Sequence, residues 1–159
     1  MPDMLVKLYE LPPIDVPLKR AQRQGIAIRR PLARERRPLI AWVNGSFSQP
    51  WGTECEAAFA ATPPNCFVAL QDEVIIGFAC HDCTCKNFFG PTGVAEHARG
   101  RGVGLALLLS CLHAMRDQGY AYAVIGGVGP AAYYAKTVGA ALIEGSTPGI
   151  YGFKKERTP

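Results

Sequence analysis

The chain has no stretch of about 18 uninterrupted apolar residues, so it offers no candidate transmembrane helix. Its first residues, with Pro2, Asp3, Lys7 and the Pro12-Pro13 pair, lack the apolar core of a signal peptide, and a cytoplasmic location is the expectation. Two nucleotide signatures are missing as well. A P-loop needs a Lys-Ser or Lys-Thr pair after its second glycine, and none follows the glycines near position 100. A dinucleotide fingerprint needs Gly-x-Gly-x-x-Gly; counted from Gly100 its last position is Leu105, and counted from Gly102 it is Leu107. The cysteines at 55, 66, 80, 83, 85 and 111 do not form a secreted disulfide framework in a chain of this length, and read as reduced thiols packed as small hydrophobes. Cys80-His81-Asp82-Cys83-Thr84-Cys85 offers zinc-type ligands, but on a strand they alternate between faces. No second Cys-x-x-Cys or His pair completes a tetrahedral site, so no metal is expected.

What remains is an ordinary globular composition, 48% hydrophobic and 19% charged over 159 residues, enough for one domain with a sizeable core. The net charge of +4 is unevenly spread. Lys19, Arg20, Arg23, Arg29, Arg30, Arg34, Arg36 and Arg37 stand against Glu35 alone. Such a segment could meet an acidic partner, but no aromatic residue is interleaved for base stacking. Nucleic acid is therefore disfavoured, and solvated charge is the plainer reading.

One stretch carries chemistry. Gly93-Val94-Ala95-Glu96-His97-Ala98-Arg99-Gly100-Arg101-Gly102-Val103-Gly104 follows a strand-like run, Phe88 to Thr92. It leads into Leu105, Leu108, Leu109, Leu112 and Met115 at helical spacing, and Gly119 stops the run. A strand, a glycine turn and a helix gather backbone N–H groups at a helix N-terminus, where the macrodipole places roughly half a positive charge. That arrangement receives an anion, most often a phosphate. Arg99 and Arg101 add charge beside it, and the glycines let a ligand approach the backbone without meeting a Cβ.

The rest of the chain alternates strands and helices. Strands are expected at Leu5 to Glu10 and around Ile26 and Ile28. A helix is expected from near Pro38 to Gly45, then a second opened by a Thr53-x-x-Glu56 capping box and ended by Pro63-Pro64. Cys66 to Leu70 and Val74 to Cys80 form a hairpin about Gln71-Asp72-Glu73, with Phe88 to Val94 the next strand. After the long helix come a strand from Tyr120 to Ile125, a short helix from Ala131 to Val138, and strands at Ala140 to Ile143 and Ile150 to Phe153. This order defines an α/β (α+β) domain with a mixed, mostly antiparallel sheet flanked by helices. It is expected to occupy 1–159 as a single domain, with a strand and basic lead-in over 1–25 and a core over 26–153.

Arg99-x-x-Gly102-x-Gly104 after a strand ending in Val94, within this element order, resembles motif A of the GNAT superfamily of acetyl-CoA-dependent N-acetyltransferases. The resemblance spans about Ile26 to Phe153. It implies a sheet splayed at the cofactor site, with Val94 and Ala95 at the pantetheine arm and Arg99, Gly100, Arg101, Gly102, Val103 and Gly104 at the pyrophosphate of acetyl-CoA. It further implies N-acetyl transfer to a small-molecule or protein amine, and members of the family are often homodimers. A cofactor-binding sensor on the same fold is the alternative.

Acetyl transfer needs a neutral amine, a stabilised oxyanion and an acid for the departing sulfur. An alkylamine of pKa about 10.4 is neutral only about once in a few thousand molecules at pH 7. The resemblance places a tyrosine acid at the start of the short helix. In Ala132-Tyr133-Tyr134-Ala135-Lys136-Thr137-Val138-Gly139 the usual position, four before the glycine, is Ala135, so Tyr134, one residue further away, takes the role of catalytic acid. Tyr133 is then expected to pack against the sheet or the CoA arm. The oxyanion role falls to a backbone N–H near Val94 or Ala95. For the base, Phe88 to Val94 holds no carboxylate; His81, Asp82, Glu54, Glu56 and a water relay remain open.

Overall fold

The computed structural model describes residues 1–152. Strands β1 (Met4–Lys7), β2 (Ile26–Arg29), β3 (Cys66–Gln71), β4 (Val74–His81), β5 (Phe88–Val94), β6 (Tyr122–Ile125) and β7 (Ala141–Leu142) form one seven-stranded sheet in the order β2-β3-β4-β5-β6-β1-β7. Every neighbouring pair is antiparallel except β5–β6. Five α-helices flank it: α1 (Asp15–Arg23), α2 (Arg36–Ser46), α3 (Gln49–Ala57), α4 (Val103–Asp117) and α5 (Ala131–Val138).

Alternation along the central strands divides the core into two layers. Val68, Phe78 and Cys80 point to the side of α2 and α3, where they meet Leu39, Val43 and Cys55. Ala69 and Ala79 point the other way, towards α4, with Ala21 of α1 and Tyr134 and Val138 of α5 in the same cluster. Helix α4 is the main body of that layer. Its apolar residues are buried around most of the circumference, and Ser110 is accommodated because its hydroxyl donates to Ala106 O at 2.7 Å. No described helix is long and apolar enough to cross a membrane.

Several expectations are corrected. The first strand is shorter than Leu5 to Glu10: it ends at Lys7, and Leu8–Glu10 makes a helical turn whose Leu8 N–H donates to Ala121 O at 2.9 Å. The basic segment holds a helix, α1, that charge obscured; only Ile14, Leu18 and Ala21 supply its inward side. The capping box at Thr53 does not form. Helix α3 begins a turn earlier, where the Ser48 hydroxyl accepts from Trp51 N–H at 3.4 Å. Thr53 sits inside the helix with its hydroxyl donating to Gln49 O, and Glu56 pairs with Arg36 at 2.7 Å. At the far end, Gly149–Tyr151 is a helical turn rather than the start of a closing strand, and Phe153 lies outside the described residues. The place beside β6 is filled by β1, which runs between β6 and β7. The β3–β4 hairpin, β5 and α5 form as expected, with Asp72 and Glu73 both at positive φ in the tight turn.

Candidate active site

The opening in the sheet arises from register. Strand β5 pairs with β6 only through Phe88 with Val124 and Phe89 with Ile125. From Gly90 onward β5 stays bonded to β4 but has no partner on its other edge among the described residues, while the chain beyond Ile125 turns away. That turn is tied down by the N-terminal segment: Gly127 N–H donates to the Asp3 carboxylate and Val128 N–H to Pro2 O, each at 2.8 Å. A cleft is left between the two strands.

At one end of the cleft lies a cavity of 380 Å³ beside the glycine turn, lined by Val94, Arg99, Gly100, Gly102, Val103 and Gly104 together with Tyr133. Gly102 caps α4 at φ +86°, a left-handed conformation that a side chain would strain. The first helical bond is Ala106 N–H to Gly102 O at 3.1 Å. Among the described residues the N–H groups of Gly102, Val103, Gly104 and Leu105 have no protein acceptor. They form an anion-receiving end with open space in front of it.

The two arginines of the turn behave differently from one another. Arg99 reaches back to donate to Val94 O at 3.2 Å and stays on the cavity wall. Arg101 points away, donating to Gln24 at 3.2 Å and Gln71 at 3.0 Å, so it fastens the turn to α1 and the β3–β4 hairpin. Ala95 is off the wall too, and its N–H is already engaged with Ile76 O at 2.8 Å. A cation that the sequence left unassigned also stands beside the turn: Arg20 of α1 lies so near Gly102 that an added Cβ would be 3.3 Å from its guanidinium carbon. Only knowledge that 15–23 is a helix packed on α4 would have found it.

The other end opens into a larger cavity of 720 Å³ between the β5 edge, the Gly126–Gly129 segment, α5 and α3. Tyr134 forms part of its wall and is 8% exposed. Its ring packs against Phe89 and Tyr133 at centroid distances of 6.5 and 5.2 Å. Burial, with a smaller contribution from Tyr133, pushes its phenol up to about 12. No hydrogen bond holds its hydroxyl among the described residues. The neighbouring tyrosines thus divide the cleft, Tyr133 at the glycine turn and Tyr134 at the larger cavity.

Among the carboxylates considered from sequence, Glu54 alone lines this space. It accepts from the Thr84 hydroxyl at 2.7 Å. His81 is fully buried with Nδ1 3.3 Å from Asp82, and its Nε2 has no partner among the described residues. Burial holds that imidazole below its usual pKa in spite of the aspartate. Cys66 and Cys80 are cross-strand partners in the α2–α3 layer, and all six cysteines are free thiols. Among the described residues no three His, Cys, Asp or Glu side chains converge as a metal site.

The fold is shared with solved acetyltransferases. A region of a fungal multi-domain GH3 β-N-acetylglucosaminidase, described as a GCN5-related glucosamine N-acetyltransferase, superposes with a TM-score of 0.72 at 18% identity, over 89% of this chain and 19% of that one. A GCN5-related N-acetyltransferase from Sphaerobacter thermophilus superposes at 0.66 and 18% identity, over 89% of this chain and 48% of that one. A GNAT-family acetyltransferase from Brucella melitensis, solved with acetyl-CoA, gives 0.56 at 21% identity, over 70% and 80%. The chain thus spans less than half the length of the first two. No curated protein matches it. The acetyltransferase (GNAT) family model matches residues 36–139, from α2 through α5. The chain belongs to the GNAT family.

Proposed function

We propose that residues 1–159 form one acetyl-CoA-dependent N-acetyltransferase domain, which passes an acetyl group to a primary amine by direct attack in the cleft between β5 and β6. The supporting observation is that one strand and one helix serve both cavities: β5 supplies Val94 to the smaller and Thr92 to the larger, and α5 supplies Tyr133 and Tyr134 respectively. A donor with its pyrophosphate on the free amides of Gly102 to Gly104 can run its pantetheine arm along the unpartnered edge of β5. That path brings its sulfur towards Tyr134. The Brucella relative of this fold holds acetyl-CoA.

In the reaction an ammonium first gives a proton to water. Its nitrogen lone pair attacks the acetyl carbon; the N–C bond forms and the C–S bond breaks. Tyr134 protonates the departing thiolate, and the second amine proton restores the phenol. A phenol held at about 12 keeps its proton throughout the neutral range. Giving that proton to a thiolate of pKa about 8.5 is uphill by about 5 kcal/mol. Its environment therefore supports a hydrogen bond to sulfur, with transfer completed only as the amine proton becomes available.

The test is free-thiol release from acetyl-CoA across a set of primary amines, with mass analysis of the acetylated product. Amine-dependent release is expected. CoA binding without release on any amine would overturn the transferase reading in favour of a cofactor sensor.

A further inference from the structure

We infer that the acceptor is an arylalkylamine, a small monocation with an aromatic body and no anionic group, seated with its ammonium at Glu54. The fate of that amine rests on the acetyl-transfer reading; its binding does not.

Helix α3 forms part of the wall of the larger cavity through Trp51 and Glu54. Among the described residues Glu54 is the only charged side chain on its lining. A carboxylate or phosphate brought there would lose its water, gain no lysine or arginine, and face Glu54. A cation meets the opposite situation. The Ser48 cap fixes the start of α3 and so sets Trp51 and Glu54 one turn apart on the same side of the helix. Glu54 uses one oxygen to accept from Thr84, and its other oxygen has no protein partner among the described residues.

The aromatic surroundings are rigid. Trp51 is braced by Phe47 and Phe78, at centroid distances of 5.4 and 6.4 Å. Tyr151 lies across the cavity lining, its hydroxyl oxygen 2.6 Å from where a Cβ on Gly126 would be, so the missing side chain makes room for it. Burial first, and the charge of Glu54 second, raise the Tyr151 phenol above its usual value, as expected for a tyrosine beside that carboxylate. A carboxylate that shares the lining with Trp51 and Tyr151 suits an ammonium, and the remaining apolar wall, including Phe89 and Pro148, suits a ring.

The experiment is calorimetric titration of the full chain saturated with CoA, using three matched pairs: 2-phenylethylamine and phenylalanine, tyramine and tyrosine, tryptamine and tryptophan. Within each pair the amine and the ring are shared and only the α-carboxylate differs. At least one amine is expected to bind, with its amino acid weaker by about tenfold or more. Glu54→Gln, which keeps shape and the Thr84 contact, is expected to weaken the amine by about tenfold or more while leaving CoA affinity unchanged. Amino acids that bind as well as their amines, or failure of all three amines to bind, would overturn the inference. So would unchanged amine affinity in a folded Glu54→Gln; should that variant not fold, the wild-type pairs decide alone. Amine binding without thiol release from acetyl-CoA would refute the transferase reading and leave the acceptor site standing. Release that ignores the α-carboxylate would do the reverse.

Discussion

Gly104→Ala separates folding from cofactor binding. Gly104 lies in the first turn of α4 at ordinary negative φ, and an added Cβ would meet only Val94 Cγ2 at 3.7 Å, a normal van der Waals contact. The folded protein can accept the methyl group without strain. Alanine also removes the backbone freedom that glycine loses on folding, a gain of up to about 1 kcal/mol in a helix. For a chain of this size that raises the melting temperature by about 1–4 °C. The cost falls on the ligand. Gly104 is on the wall of the 380 Å³ cavity beside the free amides, where the proposed pyrophosphate would come to hydrogen-bond distance of the methyl-bearing residue. Losing one charge-assisted bond of about 1.5–3 kcal/mol weakens CoA about 10- to 150-fold. Thermal unfolding and calorimetric titration with CoA measure the two effects on one preparation. A Gly104→Ala protein that is equally stable and binds CoA as tightly as wild type would refute the assignment of the turn as the pyrophosphate site.

Three further outcomes are expected. Tyr134→Phe should lower kcat by about a hundredfold or more while CoA affinity stays near wild type, and steady-state kinetics with a titration would show an unchanged kcat if the phenol has no part in proton transfer. Arg20→Glu, an exposed change beside Gly102, should leave the melting temperature unchanged but weaken CoA, with most of the loss vanishing at high salt; salt-independent affinity would remove Arg20 from the site. Glu35 is held down to about 2, chiefly by its hydrogen bonds from Arg29 at 2.7 and 2.8 Å. Its folded value lies below the unfolded value of about 4.3, so the pair's stabilisation is complete above that pH and is lost as pH falls from about 4 to about 2. Since the pair is partly exposed, Glu35→Gln should cost about 1 kcal/mol at pH 7 and nothing near pH 2 by urea denaturation, and an equal cost at both would contradict the linkage.

What the sequence made legible followed from strong local signals. The β3–β4 hairpin and α4 carry apolar patterns bounded by turn residues, and the Arg99–Gly104 turn is read from its arginine and glycine spacing between a strand and a helix. What stayed hidden depended on contacts distant in sequence. Helix α1 buries little more than Ala21, so its helical period is masked by charge, and with it went Arg20. The Thr53 box is a sound local pattern overruled by a better cap at Ser48, which lets Trp51 join the Phe47–Phe78 aromatic group. The insertion of β1 between β6 and β7 is a pairing across more than a hundred residues, invisible to any window. Arg99 and Arg101 both add positive charge beside the turn in the sequence, and only tertiary partners, Gln24 and Gln71 against Val94, turn Arg101 away and leave Arg99 on the cavity wall.

The central claim is that one donor spans both cavities and delivers its thioester to Tyr134. A crystal structure with CoA tests it most directly. The account predicts the pyrophosphate on the amides of Gly102, Val103 and Gly104, the pantetheine along β5 from Val94 towards Gly90, and the sulfur within hydrogen-bond reach of the Tyr134 hydroxyl. A sulfur beside Tyr133 instead, or CoA bound away from the β5–β6 opening, would contradict it.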